Sequence, residues 1–282
     1  NTTSDRASEA ADAHFGVATT WDYYKNVHGR NGIFNDGVGV KSYTHVAFAA
    51  YSGVNASWNG SYMKYGVGNA AQGIAPVVAI DVAGHEMTHG VTGATAGLAY
   101  NTKDSGGLNE GTSDIMGALV EHYANNSADT GDYLVGEKIY LNNPNGTKAL
   151  RYMFKPSLDS RSVDCYPARG FKNTNNHYSS GVANHFFYLL AEGAVVPAGF
   201  GAGTSYNLTA SSLVCNGDST ITGIGREKAG KIWYRALTVY MTSTTNYPGA
   251  RTATLNAARD LYGTGSAEYN AVGRAWSAVS VN

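Results

Sequence analysis

This sequence has little charge, few cysteines and no long apolar run. Charged residues make up 15% of the 282 residues, and the formal net charge is −1. A polybasic nucleic-acid-binding protein or an acidic disordered tail would need a large excess of one sign, so both classes are excluded. No run of about 18 uncharged apolar residues is present, as a membrane-spanning helix would require. We therefore expect a folded protein that binds neither nucleic acid nor membrane.

The start of the chain and the cysteines bear on its location. The first residues lack the basic segment and apolar stretch of a signal peptide, so such a peptide is either missing or already removed. Two cysteines, Cys165 and Cys215, are too few for a disulfide scaffold or a cysteine-based zinc site. They can form one bridge or remain two separate buried thiols. The glycine- and tyrosine-rich, lysine-poor composition suits secretion, which favours the disulfide and an extracellular location.

Hydrophobic periodicity divides the chain into a mixed front third and a helical remainder. Apolar residues at helical spacing predict a first helix that ends near Gly29, and alternation predicts a strand over 38–51. Later helices are expected near 80–92, 109–126, 179–195, 224–243, 250–262 and 266–279. This order predicts an α+β fold with a mixed lobe over 1–92 and a mainly helical lobe over 93–282.

The clearest chemical pattern is the sequence His85-Glu86-Met-Thr-His89. The two histidines are four residues apart, so on a helix both imidazoles face one side and can reach one metal ion. Glu86 lies beside them, where it can take a proton from metal-bound water. The alternative is an ordinary amphipathic helix that happens to carry two histidines. The exact spacing favours the metal site.

A second helical segment supplies a candidate for the third ligand. Thr92 and Thr95 stand where a metzincin needs glycine and histidine, so that class is excluded. Glu110 and Asp114 are again four residues apart. Glu110 can complete a His₂Glu zinc site that leaves the fourth position to water, and Asp114 can accept the second ring N–H of a ligand histidine. The alternative for Glu110 is an exposed first-turn acid, favoured there by the helix dipole.

Together these segments resemble the thermolysin-family zinc endopeptidases. The resemblance covers nearly the whole chain and includes the stretches 21–28, 55–60, 177–181 and 223–237. It implies a two-lobed thermolysin-like fold with an active-site cleft between the lobes. The family segment that precedes Asp12 is absent here, so either this chain is a processed form or its front lobe is smaller. The resemblance also implies hydrolysis of internal peptide bonds with one catalytic Zn²⁺, in a secreted, monomeric, zymogen-derived protease.

The resemblance assigns roles to individual residues. Glu86, Tyr100 and His177 are implied as catalytic residues, the last two as hydrogen-bond donors to the developing oxyanion. Asn109 is implied, with Asp114, to support the zinc ligands. The substrate-binding residues that it implies are Asn55, Ala56, Trp58, Arg151, Val82, Val135, Gly136, Ile139 and Leu150. The aliphatic members of this set predict a preference for a bulky hydrophobic residue immediately after the scissile bond.

Acidic residues around the zinc segments predict a second metal. Asp81, Glu121, Asp132 and Glu137 offer hard carboxylate oxygens, which suit Ca²⁺, and the family has a calcium site at such positions. Leu134 stands where the family often has another acid and can offer only its carbonyl oxygen, which favours one structural calcium ion over a pair. The alternative is a set of solvated acids on helices and loops.

The chain departs from the family pattern beside His177. Lys172 stands where the family has a carboxylate, five residues before the catalytic histidine. The group that pairs with His177 is therefore left open, with Asp164 as one candidate.

Other functions account for the sequence less well. A zinc aminopeptidase needs an acidic anchor for the substrate amino group, usually on a G-x-M-E-N-type strand, and no such stretch occurs. A calcium-stabilised binding or adhesion module has no use for Glu86, Tyr100 and His177 together. A serine hydrolase is disfavoured because the sequence has no G-x-S-x-G stretch.

Overall fold

The computed structural model describes residues 5–282, which form two compact units. The first unit combines the chain up to Ala94 with Ser113–Leu150, and the second combines Thr95–Thr112 with Arg151–Asn282. A small sheet with helices comes first and a mainly helical part follows, which confirms the predicted α+β class. The division of the chain at residue 92 remains a prediction.

Helix α1 (Arg6–His28) has a clear signal at each end. The Asp5 side chain accepts the N–H groups of the first turn, and Gly29 ends the helix in the left-handed conformation that glycine adopts without strain. In the middle of α1, Gly16 allows close packing on the following helix. A Cβ at Gly16 would lie 2.6 Å from the Cβ of Ala83, so the two helices are in contact at this point.

Three short strands form the sheet of the first unit, in the order β1–β3–β2. Strand β1 (Lys41–Val46) runs parallel to β3 (Tyr62–Gly66), and β2 (Ala56–Trp58) pairs with β3 in the antiparallel sense. The remaining elements are α2 (Ile80–Gly93), α3 (Lys103–Ala124), β4 (Leu134–Val135), β5 (Arg151–Tyr152), α4 (Asn176–Ser179), α5 (Gly181–Glu192), α6 (Arg226–Arg235), α7 (Tyr247–Tyr262) and α8 (Ala267–Ala278). None of the described helices is both long and apolar enough to cross a membrane.

Two elements differ from the sequence predictions. The strand expected over 38–51 is confined to β1, because Phe48 has a φ of 39° and a 3₁₀ turn (Ala49–Tyr51) follows it. Helix α3 begins at Lys103, earlier than expected, although Gly106 in its first turns is a poor helix former. A Cβ at Gly106 would lie 2.4 Å from the side-chain amide nitrogen of Asn176, so a larger residue at this position would displace the Asn176 side chain.

Aromatic packing joins four helices of the second unit. Phe186 of α5 stacks on Trp276 of α8, with ring centroids 3.7 Å apart, and Trp233 of α6 packs against Phe186 at 5.9 Å. The indole N–H of Trp276 donates to the Thr254 hydroxyl of α7 at 2.8 Å. All four side chains are buried. Each large apolar side chain contributes about 1.5–3 kcal/mol, so this cluster is a main source of stability in the unit.

Cys165 and Cys215 form a disulfide, as predicted. The bond joins residues separated by 50 positions. By the loop-entropy argument, closing a loop of this length disfavours the unfolded chain by about 4 kcal/mol.

Candidate metal centre and active site

Two glycines allow α2 and α3 to pack at short range. A Cβ at Gly84 of α2 would lie 2.9 Å from the Cα of Gly117 of α3, and a Cβ at Gly117 would lie 2.5 Å from the carbonyl oxygen of Asp81. No side chain can occupy these spaces without moving the helices. The close approach brings Asp114 on α3 to His85 on α2.

His85 and His89 lie one turn apart on α2, with their Nε2 atoms 3.0 Å from each other. The Nδ1 of His85 lies 2.7 Å from a carboxylate oxygen of Asp114. A carboxylate only accepts, so Nδ1 carries the proton and Nε2 of the neutral ring is left with a lone pair. Two imidazole nitrogens on a tetrahedral zinc ion, with bonds of about 2.0–2.1 Å, are about 3.3 Å apart. The histidine pair therefore fits zinc.

Glu110 adds a carboxylate to this pair. The potential ligand atoms of His85, His89 and Glu110 all lie within 4.8 Å of one another. Glu110 is 1% exposed and lies on α3, one turn before Asp114. Two imidazoles and one carboxylate are the donor set of catalytic zinc sites that keep one position for water.

Both predicted oxyanion donors lie against the Glu110 carboxylate. The Tyr100 hydroxyl donates to one of its oxygens, and Nε2 of His177 lies 3.4 Å from the other. Tyr100 is 49% exposed and the His177 side chain is 49% exposed, so a ligand can reach both. Asn109 is buried, and its amide donates to the carbonyl oxygen of Leu98 at 2.9 Å. Asn109 thereby ties α3 to the segment that precedes Tyr100.

Glu86, which follows His85 on α2, is buried. One of its carboxylate oxygens accepts the backbone N–H of Trp58 at 2.7 Å. This bond holds the predicted base against strand β2. A carboxylate in a fixed orientation is suited to proton transfer, because a general base must lie within hydrogen-bond reach of the proton that it removes.

The residues predicted to bind substrate backbone lie on or beside β2. Ala56 and Trp58 are in the strand, and the carbonyl oxygen of Asn55 accepts the N–H of Gly66 at 2.8 Å. In the described chain β2 is at the edge of its sheet. The outer side of an edge strand can pair with an extended peptide through backbone hydrogen bonds.

The predicted specificity residues are mostly buried and apolar. Val82 lies on α2, and Val135, Gly136 and Ile139 follow one another on β4 and the 3₁₀ turn after it. The N–H of Leu150 donates to the carbonyl oxygen of Val135 at 2.8 Å. A Cβ at Gly136 would lie 2.7 Å from Leu150, so these two positions are in direct contact. Arg151, the first residue of β5, is half-buried.

A second group of potential metal ligands consists of buried carboxylates. The ligand atoms of Glu121, Asp129 and Glu137 lie within 4.8 Å of one another. In the described chain, both carboxylate oxygens of Glu137 and one of Glu121 are buried without a hydrogen-bond partner. Burial, together with the neighbouring acids, raises the pKa of Glu121 to about 12 and that of Glu137 to about 10. Orphaned hard oxygens of this kind fit Ca²⁺.

Asp129 was not among the acids selected from the sequence. It lies in a turn after α3, where its backbone pairs with Asn126. Its sequence context, a polar loop rich in asparagine, is that of an ordinary exposed loop acid. Only the fold shows that Asp129 is buried beside Glu121 and Glu137.

The other predicted calcium ligands surround this acid cluster. Asp81 uses its carboxylate to accept backbone N–H groups, and burial raises its pKa to about 7. Asp132 accepts the N–H of Leu134 at 2.6 Å and donates its own N–H to Glu121 at 2.9 Å. Burial raises the pKa of Asp132 to about 6. A role for the carbonyl oxygen of Leu134 stays a prediction.

Two family matches together cover nearly the whole chain. The profile described as thermolysin metallopeptidase, catalytic domain, matches residues 1–93, and that described as thermolysin metallopeptidase, alpha-helical domain, matches residues 96–281. The transglutaminase-activating metalloprotease of Streptomyces mobaraensis is 52% identical over 99% of this chain and 35% of its own length. A thermolysin of Alicyclobacillus acidocaldarius is 41% identical over 96% of this chain and 45% of its own length. The chain thus spans less than half the length of these relatives.

A solved structure shares the fold. The precursor of protealysin, a metalloproteinase from Serratia proteamaculans, superposes with a TM-score of 0.75 at 27% sequence identity. The match covers 99% of this chain and 80% of that one.

Proposed function

Because this chain belongs to the thermolysin metallopeptidase family, we propose that it is a zinc-dependent endopeptidase that hydrolyses internal bonds of peptides and proteins. The observation that carries the proposal is the set of zinc-type donors on His85, His89 and Glu110, with Glu86 held beside it. A zinc ion in this set would polarise both a water molecule and the substrate carbonyl.

Different residues of the protein orient a zinc ligand, transfer the proton and stabilise the oxyanion. Asp114 keeps the proton on Nδ1 of His85, so that Nε2 serves as the ligand atom. Glu86 takes a proton from the attacking water and returns it to the amine that leaves. Tyr100 and His177 donate hydrogen bonds to the substrate oxygen as its negative charge develops, which lowers the energy of the transition state.

Strand β2 and the aliphatic residues supply the substrate contacts. Asn55 and Ala56 pair with the substrate backbone, Trp58 lines the path of the substrate, and Arg151 binds a substrate carbonyl. Val82, Val135, Ile139 and Leu150 surround the side chain that follows the scissile bond. An apolar wall cannot compensate a buried charge, whereas a Leu, Ile, Val or Phe side chain gains about 1.5–3 kcal/mol on burial.

The acid cluster binds one calcium ion. Its ligands are Glu121, Asp129 and Glu137. The carboxylates of Asp81 and Asp132 accept backbone N–H groups and thereby hold the chain around the ligands in place. The proposal is supported by the orphaned buried oxygens and by the raised pKa values, since uncompensated carboxylates are costly to bury. The disulfide supports a secreted, extracellular enzyme, and we expect it to act as a monomer.

Metal analysis combined with cleavage-site mapping on a mixed peptide library tests this function. We expect about one zinc ion per chain and cuts inside peptides, before Leu, Ile, Val or Phe. Stepwise release of single N-terminal residues would indicate an aminopeptidase instead. A zinc-loaded, folded protein that cleaves no peptide would overturn the proposal.

A further inference from the structure

Asn175 contacts the backbone and the ring of His177 through one oxygen. The side-chain oxygen of Asn175 accepts the backbone N–H of His177 at 3.0 Å and lies 3.1 Å from the ring nitrogen Nδ1. Because the atom that accepts a backbone N–H must be the amide oxygen, the ring atom that faces it must be a donor. Nδ1 of His177 therefore carries a proton in this arrangement.

The other ring nitrogen faces the candidate metal centre. Nε2 of His177 lies 3.4 Å from a carboxylate oxygen of Glu110. With Nδ1 bonded to Asn175, the orientation of the ring is defined at both nitrogens. Half of the His177 side chain is exposed, so packing alone does not hold the ring in one rotamer.

The sequence left the partner of His177 open, and Asp164 was the candidate carboxylate. In the structure the Asp164 carboxylate is bound by Nζ of Lys155 at 2.7 Å and by the N–H of Ser157 at 2.7 Å. The contact with Nδ1 comes instead from a neutral amide two residues before the histidine. Such a short connection restricts the chain, so little conformational entropy is lost when the contact forms.

We infer that Asn175 is the positioning residue of His177, a role that rests on the proposed function of His177 as an oxyanion donor. Asn175 acts through the histidine and does not itself touch the reacting atoms. The next residue, Asn176, contacts the segment of the other predicted donor: its side-chain amide donates to the backbone carbonyl oxygen of Tyr100 at 2.7 Å. Residues at the start of α4 therefore contact the ring of His177 and the backbone of Tyr100. A donor that is held in place costs no reorganisation in the transition state.

Three variants of Asn175 separate positioning from helix capping. Asn175→Ala removes both contacts, and we expect kcat to fall about tenfold with KM within about twofold of the wild type. Asn175→Asp retains the acceptor oxygen, and we expect most of kcat to return. Asn175→Ser retains the cap of α4 but has a side chain one atom shorter. We expect it to lose kcat like the alanine variant, with an unchanged thermal midpoint.

Asn173→Ala is the matched control, since Asn173 is an exposed asparagine of the same loop. We expect wild-type kcat and KM for this variant. If Asn175→Ala and Asn175→Ser both keep kcat within about twofold of the wild type, the inference is overturned.

A second measurement does not depend on activity. In ¹⁵N-labelled protein, the His177 ring signals are assigned by their loss in His177→Gln. We expect the Nδ1–H of His177 to be hydrogen-bonded in the wild type and in Asn175→Asp, and to lose this hydrogen bond in Asn175→Ser. A hydrogen bond retained at Nδ1 in the serine variant would contradict the inference. If the wild type cleaves no peptide, the proposed function fails, but the ring signals still decide whether Asn175 orients His177.

Discussion

The histidine pair on α2 and the acid cluster after α3 both collect potential metal ligands, but they assemble in different ways. His85 and His89 are one turn apart on a single helix, so local geometry alone brings them together. Glu121, Asp129 and Glu137 come from the end of a helix, a turn and a 3₁₀ segment, and only the fold makes them neighbours. Ligands on one helix can be recognised from spacing, whereas ligands collected from loops cannot.

The two groups also differ in charge. The histidines are neutral donors, and a single carboxylate, Asp114, orients one of them. The acid cluster is almost uncompensated: Nζ of Lys138 lies 3.7 Å from Asp129, and the neighbouring carboxylates raise one another's pKa. Zinc removal should therefore abolish activity and largely spare the fold. Calcium removal should weaken the fold itself.

Replacement of the base should have the largest effect. We expect Glu86→Gln to retain zinc and lower kcat by about 10²–10⁴-fold, because it removes proton transfer but no metal ligand. Glu227→Gln, at an exposed acid in the first turn of α6, is the control. Zinc content and kcat are measured together. Near-normal turnover in a zinc-loaded Glu86→Gln protein would exclude this role.

Loss of the carboxylate that orients His85 should have the next largest effect. We expect Asp114→Ala to weaken zinc binding by about 10–100-fold, since Nδ1 of His85 loses its acceptor. Competition with a chromogenic chelator measures the affinity. Wild-type zinc affinity in this variant would show that the bond does not support the ligand.

Calcium removal should change how stability depends on pH. Without the ion, burial and neighbouring acids raise the pKa of Asp132 to about 6, of Asp81 to about 7 and of Glu137 to about 10, whereas unfolded carboxyls titrate near 4. The folded state then binds more protons than the unfolded state above pH ~4, so stability falls as pH rises from there.

The measurement is the thermal midpoint between about pH 5 and 8, with zinc saturated. With calcium chelated, we expect the midpoint to fall across this range. With calcium present the fall should be smaller, because the ion compensates the charged carboxylates. For a chain of this size a loss of about 2 kcal/mol corresponds to about 3–4 °C. Identical pH profiles with and without calcium would contradict a site in the acid cluster.

The smallest expected effect is the difference between replacing Asp129, which only the structure places in the acid cluster, and replacing Asp132, which the sequence predicted as a calcium ligand. Asp129 belongs to the group of close ligand atoms, whereas the Asp132 carboxylate accepts the backbone N–H of Leu134. We expect Asp129→Asn to reduce the calcium-dependent rise in thermal midpoint more than Asp132→Asn does. Calorimetric titration of calcium provides a second readout. The opposite order would place the ion nearer Asp132.

Much of the chemistry was predictable because it resides in helical spacing and family motifs. The family resemblance, the α+β class and the disulfide are confirmed by the comparisons and the structure. The length of β1, the start of α3 and the place of Asp129 were not predicted. Each depends on contacts between distant parts of the chain, such as the packing of Gly106 against Asn176.

Helical spacing alone predicts which donors lie within a turn of one another: His85 with His89, and Glu110 with Asp114. A helix repeats every 3.6 residues, so an i, i+4 spacing is enough to place two side chains on one face. The contact of α2 with α3 at Gly84 and Gly117, and the burial of Asp129 among other acids, can be seen only in the folded protein. Those outcomes depend on packing and on the cost of burying charge, which no local pattern of residues encodes.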